Sequence, residues 1–370
     1  MADSLSAPQV MRAPRHLDLE LSARCNLRCR YCYYFDNPAV PYEDLPTNEW
    51  LQFFDELGSL GVMDATLAGG EPFMREDLPQ LLEGLVRNGM RFSMLSNGAL
   101  IDDEIAATIS STGRCDYVQV SLDGSGPETH DACRGKGSFA SALRGIRTLQ
   151  RHQVPVEVRV TIHRHNVRDL DATARLLLVD LGLGSFGTNA AGYLGACRHN
   201  VDEVVLTTEE RQLAMETLLR LVEEYDRRIS AQAGPLADAR YWRRMEDARA
   251  QGAPAFPRGG HLTACGCPNS KIAVRADGAI IPCSMLAHVE LGQINRDRLA
   301  EVWQHHPTLN AMRQRSQKPL TVFEFCAGCP YIPYCTGNCP GLAYSLTGQV
   351  DHPSPDACLR KFLDDGGRIP

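Results

Sequence analysis

The chain has 370 residues, 44% of them hydrophobic and 22% charged, with a formal net charge of −7. That length suits one barrel-sized domain plus a smaller one, and the acidic balance disfavours a nucleic-acid partner. No apolar stretch approaches the roughly 20 residues of a membrane span, and Arg12 and Arg15 precede no apolar run of a secretory signal, so no membrane partner and a cytoplasmic location are expected.

In chain order, short β-branched runs alternate with amphipathic helical patterns. Strands are predicted over 17–21, 64–68, 91–96, 117–122, 156–163 and 185–189, with helices over 48–60, 78–88, 102–111, 138–152 and 167–181 between them. Thr47 is the expected N-cap of the first helix, and Leu81, Leu82, Leu85 and Val86 give the second an apolar stripe. Six strands with helical crossovers predict an α/β fold, a parallel sheet curled as a full or partial βα barrel, the partial (β/α)6 TIM barrel being the form expected, with its active site at the carboxyl ends of the strands. The next stretch reads as a helical connector. It opens at Thr207-Thr208-Glu209-Glu210 and ends in a Gly- and Pro-rich linker from Gly252 to Gly260. The expected division is an N-terminal leader segment over 1–16, the barrel over 17–204, the connector over 205–260 and a cysteine-rich domain over 261–370.

Fourteen cysteines are many for a reducing compartment, where clustered thiols point to metal rather than disulfides. Cys115, Cys133 and Cys197 stand alone and read as small buried hydrophobes. The other eleven fall into two groups. Cys25, Cys29 and Cys32 follow the first strand with C-x3-C-x2-C spacing, which can hold three corners of a [4Fe–4S] cluster and leave one iron open. Zinc with a fourth ligand elsewhere is the alternative.

This loop, ahead of a βα barrel, resembles the radical S-adenosylmethionine (SAM) superfamily. The resemblance implies that the open iron chelates SAM, whose reductive cleavage yields a 5′-deoxyadenosyl radical that abstracts hydrogen from substrate. It also implies site residues. Tyr31 matches the aromatic position near the adenine, and Gly69-Gly70-Glu71-Pro72 matches the motif that binds the SAM amino group. Ser121 and Asp123 end the fourth strand where the family contacts ribose, and Asn97, in Ser96-Asn97-Gly98, lines the same opening. Taken singly, Gly-Gly-Glu-Pro is a common turn and Ser-x-Asp-Gly a common strand end. Arg159 on the fifth strand could pair with a carboxylate of SAM or substrate, and Tyr193 and His199 are further pocket candidates.

Towards the C-terminus come Cys265, Cys267, Gly278-x4-Cys283, Cys326-x2-Cys329-x5-Cys335-x3-Cys339 and Cys358. This run resembles the SPASM extension of radical SAM enzymes. By resemblance, Cys265, Cys267, Cys283 and Cys339 would hold one auxiliary cluster, and Cys326, Cys329, Cys335 and Cys358 a second. Three [4Fe–4S] clusters are thus expected. Two four-thiolate zinc sites are the alternative. The tight Cys265-Gly266-Cys267 spacing departs from some members with two full clusters and leaves one of that pair as a possible spectator.

Residues 16 to 365 resemble the peptide maturases of this group, relatives of pyrroloquinoline quinone biosynthesis protein E and of the SynChlorMet cassette SPASM proteins. The implied substrate is a ribosomal precursor peptide, and the implied reaction an oxidative C–C or C–heteroatom crosslink. Epimerisation, dehydrogenation and a non-catalytic electron carrier are the alternatives. Cys197 is the unassigned thiol placed for an epimerase's hydrogen return. Ser284 follows Cys283 where sulfatase-maturing relatives carry an Asp, which weakens that chemistry. With no leader-binding domain read before Leu17, a separate leader-recognition protein is expected, together with a reductant such as flavodoxin or ferredoxin.

Overall fold

The computed structural model describes residues 10–35, 42–263 and 265–370. The six predicted strands form a parallel sheet: β1 (His16–Ser22), β2 (Asp64–Gly69), β3 (Arg91–Ser96), β4 (Cys115–Ser121), β5 (Val156–Ile162) and β6 (Phe186–Ala190). Between them run α1 (Thr47–Leu60), α2 (Leu78–Arg87), α3 (Asp103–Ser111), α4 (Pro127–Arg134), α5 (Ser138–Arg151) and α6 (Leu170–Arg175). The last continues as one π turn over Leu176–Asp180. After β6 come the four-residue α7 (Val201–Val204), then α8 (Thr208–Glu224) and α9 (Pro235–Ala250).

The sheet extends beyond those six strands at both edges. β7 (Ile229–Ala231), between α8 and α9, pairs parallel with β6. At the other edge β8 (Lys271–Val274) pairs parallel with β1, and β9 (Ala279–Ile281) and β10 (Gly292–Gln293) follow antiparallel. The described sheet therefore runs β10-β9-β8-β1-β2-β3-β4-β5-β6-β7. The cysteine-rich segment is joined to the barrel by backbone hydrogen bonds.

Strand alternation divides the residues. On β1, Leu17, Leu19 and Leu21 are fully buried in one core with Trp50, Phe53, Phe54 and Leu57 of α1. Burying each such side chain contributes about 1.5–3 kcal/mol. The opposite face, towards the barrel interior, is polar. His16 bonds Thr66 at 2.9 Å, Thr66 bonds Ser93 at 3.1 Å, and Lys271 of β8 donates to Asp18 at 2.6 Å.

Local capping agrees with the sequence at α8, where Thr207 and Glu210 form a reciprocal capping box. It differs at α1. Pro46 is the N-cap, while the Thr47 hydroxyl donates to Asp77 at 2.5 Å. Thr47 is the first helical residue rather than the cap, and its hydroxyl ties this helix start to the carboxylate that begins the next helix.

The turn that ends β3 packs on α5 at van der Waals limits. Gly98 has φ +77°, and a Cβ on Gly145 would lie 2.3 Å from its carbonyl oxygen. Helix propensity alone would favour alanine at position 145 by about 1 kcal/mol. Overpacking against rigid backbone costs about 1–3 kcal/mol and prevails. Gly145→Ala is expected to lower the urea midpoint, with the m-value unchanged.

Candidate functional site

The loop after β1 carries Cys25, Cys29 and Cys32, all half-buried with free thiols. It is fastened from several sides. The Ser22 hydroxyl and Ala23 N–H donate to Asp44 at 2.7 and 2.6 Å, Arg30 N–H donates to the Cys133 carbonyl, and Cys32 N–H to that of Cys29. Asn97, at the end of β3, donates to Asn26 at 2.8 Å and to the Cys25 Sγ at 3.8 Å. Burial pushes the Cys25 thiol up to about 11 and Cys29 to about 12. Without a metal these groups stay protonated at neutral pH, so cluster assembly must displace their protons.

The Gly69-Gly70 pair serves this loop directly. Gly70 N–H donates to the Ser22 carbonyl at 2.7 Å and Glu71 N–H to that of Arg24 at 2.8 Å. A Cβ on Gly69 would lie 2.3 Å from the Ser22 oxygen, and one on Gly70 2.2 Å from the Arg24 oxygen. The close backbone approach that the glycines permit is thus to the cysteine loop. Pro72 is buried and opens a single 3₁₀ turn, Pro72–Met74. Glu71 is buried too, accepting from Ser96 Oγ and Asn97 N–H at 2.8 Å each and from Phe73 N–H at 3.4 Å. Desolvation raises its carboxyl to about 7 despite these bonds.

Asp123, after β4, is fully buried, and its carboxylate is spent within the protein. Burial by itself would raise it, but the Arg134 guanidinium at 2.5 Å holds it down at about 2. Thr161 N–H donates at 2.9 Å and the Tyr31 hydroxyl donates as well. Arg134 lies 5.3 Å from the Tyr31 ring centroid, and His163 stacks on that ring at 5.4 Å. Burial keeps His163 and His130 neutral, each lowered to about 4. Asp123 therefore anchors the Tyr31 ring and has no carboxylate oxygen turned to the opening. Ser121 stands half-buried in register with Arg159, whose guanidinium reaches Gln119 at 3.1 Å. Tyr193 lies on the loop beyond β6, within the field of Asp356 and Arg211, while His199 is exposed on the same loop. Cys197 is fully buried in a small apolar cluster with Cys133 and Val204.

Sequence reasoning missed Arg134, His130, His163 and Glu20. Pro127 directly after Gly126 is a helix-start signal that could have revealed α4. The return of its last residue to Asp123 has no local signal.

The C-terminal cysteines gather in two sets. Cys326, Cys329, Cys335 and Cys358 line one cavity with Leu320, Ile332, Gly337 and Pro353. Cys265 and Cys267 are neighbours, with Cys267 N–H donating to the Cys265 Sγ at 3.2 Å, and Cys283 and Cys339 act electrostatically on that pair. Among the described residues no three His, Cys, Asp or Glu side chains converge as a single-ion site. Cubane ligation does not require such convergence, because each iron takes one thiolate. The thiol-only donor sets fit clusters.

Comparison with known proteins bears on this arrangement. The radical SAM superfamily model matches residues 19–177, and the SPASM model, an iron-sulfur cluster-binding domain, matches 265–330. The chain is 31% identical over 360 residues to an Fe-coproporphyrin III synthase of Methanosarcina barkeri, covering 92% of this chain and 87% of the relative. It is 26% identical to a PqqA peptide cyclase of Ruegeria pomeroyi, covering 96% and 90%. Streptococcus suis SuiB, solved with its precursor peptide SuiA, superposes with a TM-score of 0.71 at 14% identity, covering 95% of this chain and 77% of SuiB.

Asp123→Asn would leave the Arg134 guanidinium buried without its counter-charge, which costs about 3–5 kcal/mol. Because the folded-state pKa is depressed, the wild-type contribution is present above the ordinary carboxylate range and fades as pH falls towards about 2. Urea unfolding is expected to show a full deficit for the variant at neutral pH and a shrinking one in acid.

Proposed function

Because the chain belongs to the radical SAM superfamily and carries a SPASM iron-sulfur domain, we propose that it is an oxidative peptide-modifying enzyme that forms a C–C or C–heteroatom crosslink. It is an enzyme of iron-sulfur clusters and SAM. The count of three [4Fe–4S] clusters, with the eleven clustered cysteines as ligands, is part of the proposal. When bound, the clusters and SAM supply a 5′-deoxyadenosyl radical and an outlet for a second electron.

The chain's own residues prepare the site. Cys25, Cys29 and Cys32 would hold the first cluster, and Glu71, with Gly69, Gly70, Pro72 and Asn97, would receive the SAM amino group. Tyr31, held by Asp123 and Arg134, would offer a ring to the adenine, and Ser121 a hydroxyl to the ribose. Arg159 and Tyr193 line the substrate side.

One observation carries the peptide reading: the charge of the barrel interior. Of its cations among the described residues, Lys271 is paired to Asp18 and Arg134 to Asp123, Arg159 reaches only the neutral Gln119 and the Thr188 carbonyl and is the single guanidinium left for a carboxylate, and Glu20 adds a further acid. Such a lining suits a peptide segment better than a substrate rich in carboxylates. The PqqA peptide cyclase relative agrees. The Fe-coproporphyrin III synthase relative favours a second reading, with a tetrapyrrole as substrate. A separate leader-recognition protein and a flavodoxin or ferredoxin reductant complete the proposal, in the cytoplasm. Among the described residues no helix is long and apolar enough to cross a membrane.

The discriminating experiment is anaerobic turnover with dithionite and SAM, followed by mass spectrometry. Precursor peptides encoded beside the gene are tested in parallel with Fe-coproporphyrin III. Loss of two hydrogens from a peptide supports the proposal, and a mass change in the porphyrin with every peptide intact overturns it. For the cofactors, about 12 iron atoms per chain are expected, falling to about 8 in Cys29→Ala. That variant should yield no 5′-deoxyadenosine. Zinc without sulfide would contradict the cluster assignment.

A further inference from the structure

The inward face of β1 presents His16, Asp18, Glu20 and Ser22, and three of them are satisfied. His16 bonds Thr66, Asp18 takes Lys271, and Ser22 donates to Asp44. Glu20 is the exception. It is 1% exposed, and neither carboxyl oxygen has a hydrogen-bond partner among the described residues. The hydroxyls of Ser284 and Tyr34 act on it without reaching hydrogen-bonding geometry, and the Tyr34 hydroxyl is itself buried without a partner. Arg275 also acts on it, yet that guanidinium is spent on Asp277, Glu290 and the Ala287 carbonyl.

An unpaired buried carboxyl is expensive, and packing alone would be served by an apolar side chain. Its location gives it a use. Ser284 directly follows Cys283, Tyr33 and Tyr34 directly follow Cys32, and Tyr33 lies in the field of Glu20, Cys32 and Cys283 together. Glu20 thus stands on the seam between the SAM-side loop and the first auxiliary set. On the oxidative reading, the substrate radical would be oxidised between those two.

We propose that Glu20 is the proton acceptor of the oxidative step, a catalytic residue on β1 facing Ser284 across the seam. The inference rests on the oxidative peptide reading above. In that step a substrate C–H bond first breaks, its hydrogen atom forming 5′-deoxyadenosine. The carbon radical then bonds to a second substrate atom X as its X–H bond breaks. One electron leaves to an auxiliary iron-sulfur cluster, and the proton goes to the Glu20 carboxylate. Two hydrogens leave the peptide, and the charges balance.

The environment suits the task. Burial, the largest influence, raises the Glu20 carboxyl to about 7, with Asp18 pushing the same way and Ser284, Arg275 and Tyr34 opposing. Among the described residues, Tyr33 and Tyr42 also lie in its field. A base poised near neutrality can accept a proton and return it to solvent.

The test uses the reconstituted holoenzyme as wild type, Glu20→Gln and the double variant Glu20→Gln/Ser284→Asp. The last returns a carboxylate from the facing side. The probe is the precursor peptide that turns over in co-expression. Crosslinked product per 5′-deoxyadenosine is expected to fall roughly a hundredfold in Glu20→Gln and to recover substantially in the double variant. An independent readout needs no peptide. Infrared difference spectra across neutrality should show protonated-carboxyl absorption from Glu20 and Glu71, and Glu20→Gln should remove the Glu20 part while Glu71→Gln leaves it in place. Because the folded-state pKa is raised, the wild type should also lose stability relative to Glu20→Gln as pH rises through neutrality. An unchanged product ratio in Glu20→Gln, or a titrating carboxyl absorption that Glu20→Gln leaves unchanged, overturns the assignment. If the wild type modifies no peptide but makes 5′-deoxyadenosine, the peptide reading fails instead, while the infrared arm still judges Glu20.

Discussion

Strand β1 is hydrogen-bonded in parallel register on both edges, to β2 through Leu17↔Ala65 and Leu19↔Leu67 and to β8 through His16↔Lys271 and Asp18↔Ala273. The loop that leaves β1 is therefore held between the Gly69-Gly70 turn on one side and the cysteine-rich segment on the other. Further ties close the same seam. Asn295 donates to Glu49 on α1, the Glu56 carboxylate accepts from Leu299 N–H, and Trp303 donates to the Met11 carbonyl. On the proposed function, an electron passing from a substrate radical to an auxiliary cluster would require fixed separation between the two cysteine sets. A shared strand supplies that better than a flexible linker would.

Buried charge is handled differently at three nearby points, and the differences separate the roles. Asp123 has a full guanidinium partner and stays ionised, which makes it an anchor for Tyr31. Glu71 has only neutral donors, Ser96, Asn97 and Phe73, so its charge is incompletely offset and an ammonium group would complete it. Glu20 has no hydrogen bond among the described residues. The gradient runs from a satisfied structural pair to an unsatisfied group facing the seam. Desolvation dominates wherever a counter-charge is missing.

The glycine motif shows how one sequence feature can have two consequences. Read as a string, Gly69-Gly70 promises close approach of backbone to a ligand. In the folded chain the approach is to the Ser22 and Arg24 carbonyls, and the residue that follows, Glu71, turns its carboxylate to Ser96 and Asn97. The steric argument holds, but its object is the cysteine loop. Asp123 changed in the same way: a strand-end carboxylate expected to face a ribose is instead consumed by Arg134, Tyr31 and Thr161.

What the sequence determined by itself was everything encoded in local spacing. The six parallel strands follow from β-branched runs separated by helical periodicity, the α8 start from a capping box, and the thiol groups from cysteine intervals. These are short-range properties, readable within a turn or a strand. The tertiary structure alone decided the rest. It added β7 within the stretch read as a helical connector, and it joined β8 to β1 across more than half the chain. It brought Arg134 of an unforeseen helix onto Asp123 and left Glu20 without a hydrogen bond opposite Ser284. Each depends on which distant backbone or charge arrives at a given point. A three-residue strand such as Ile229–Ala231 has too little sequence to announce itself, and a glutamate in a strand looks the same whether its partner arrives or not.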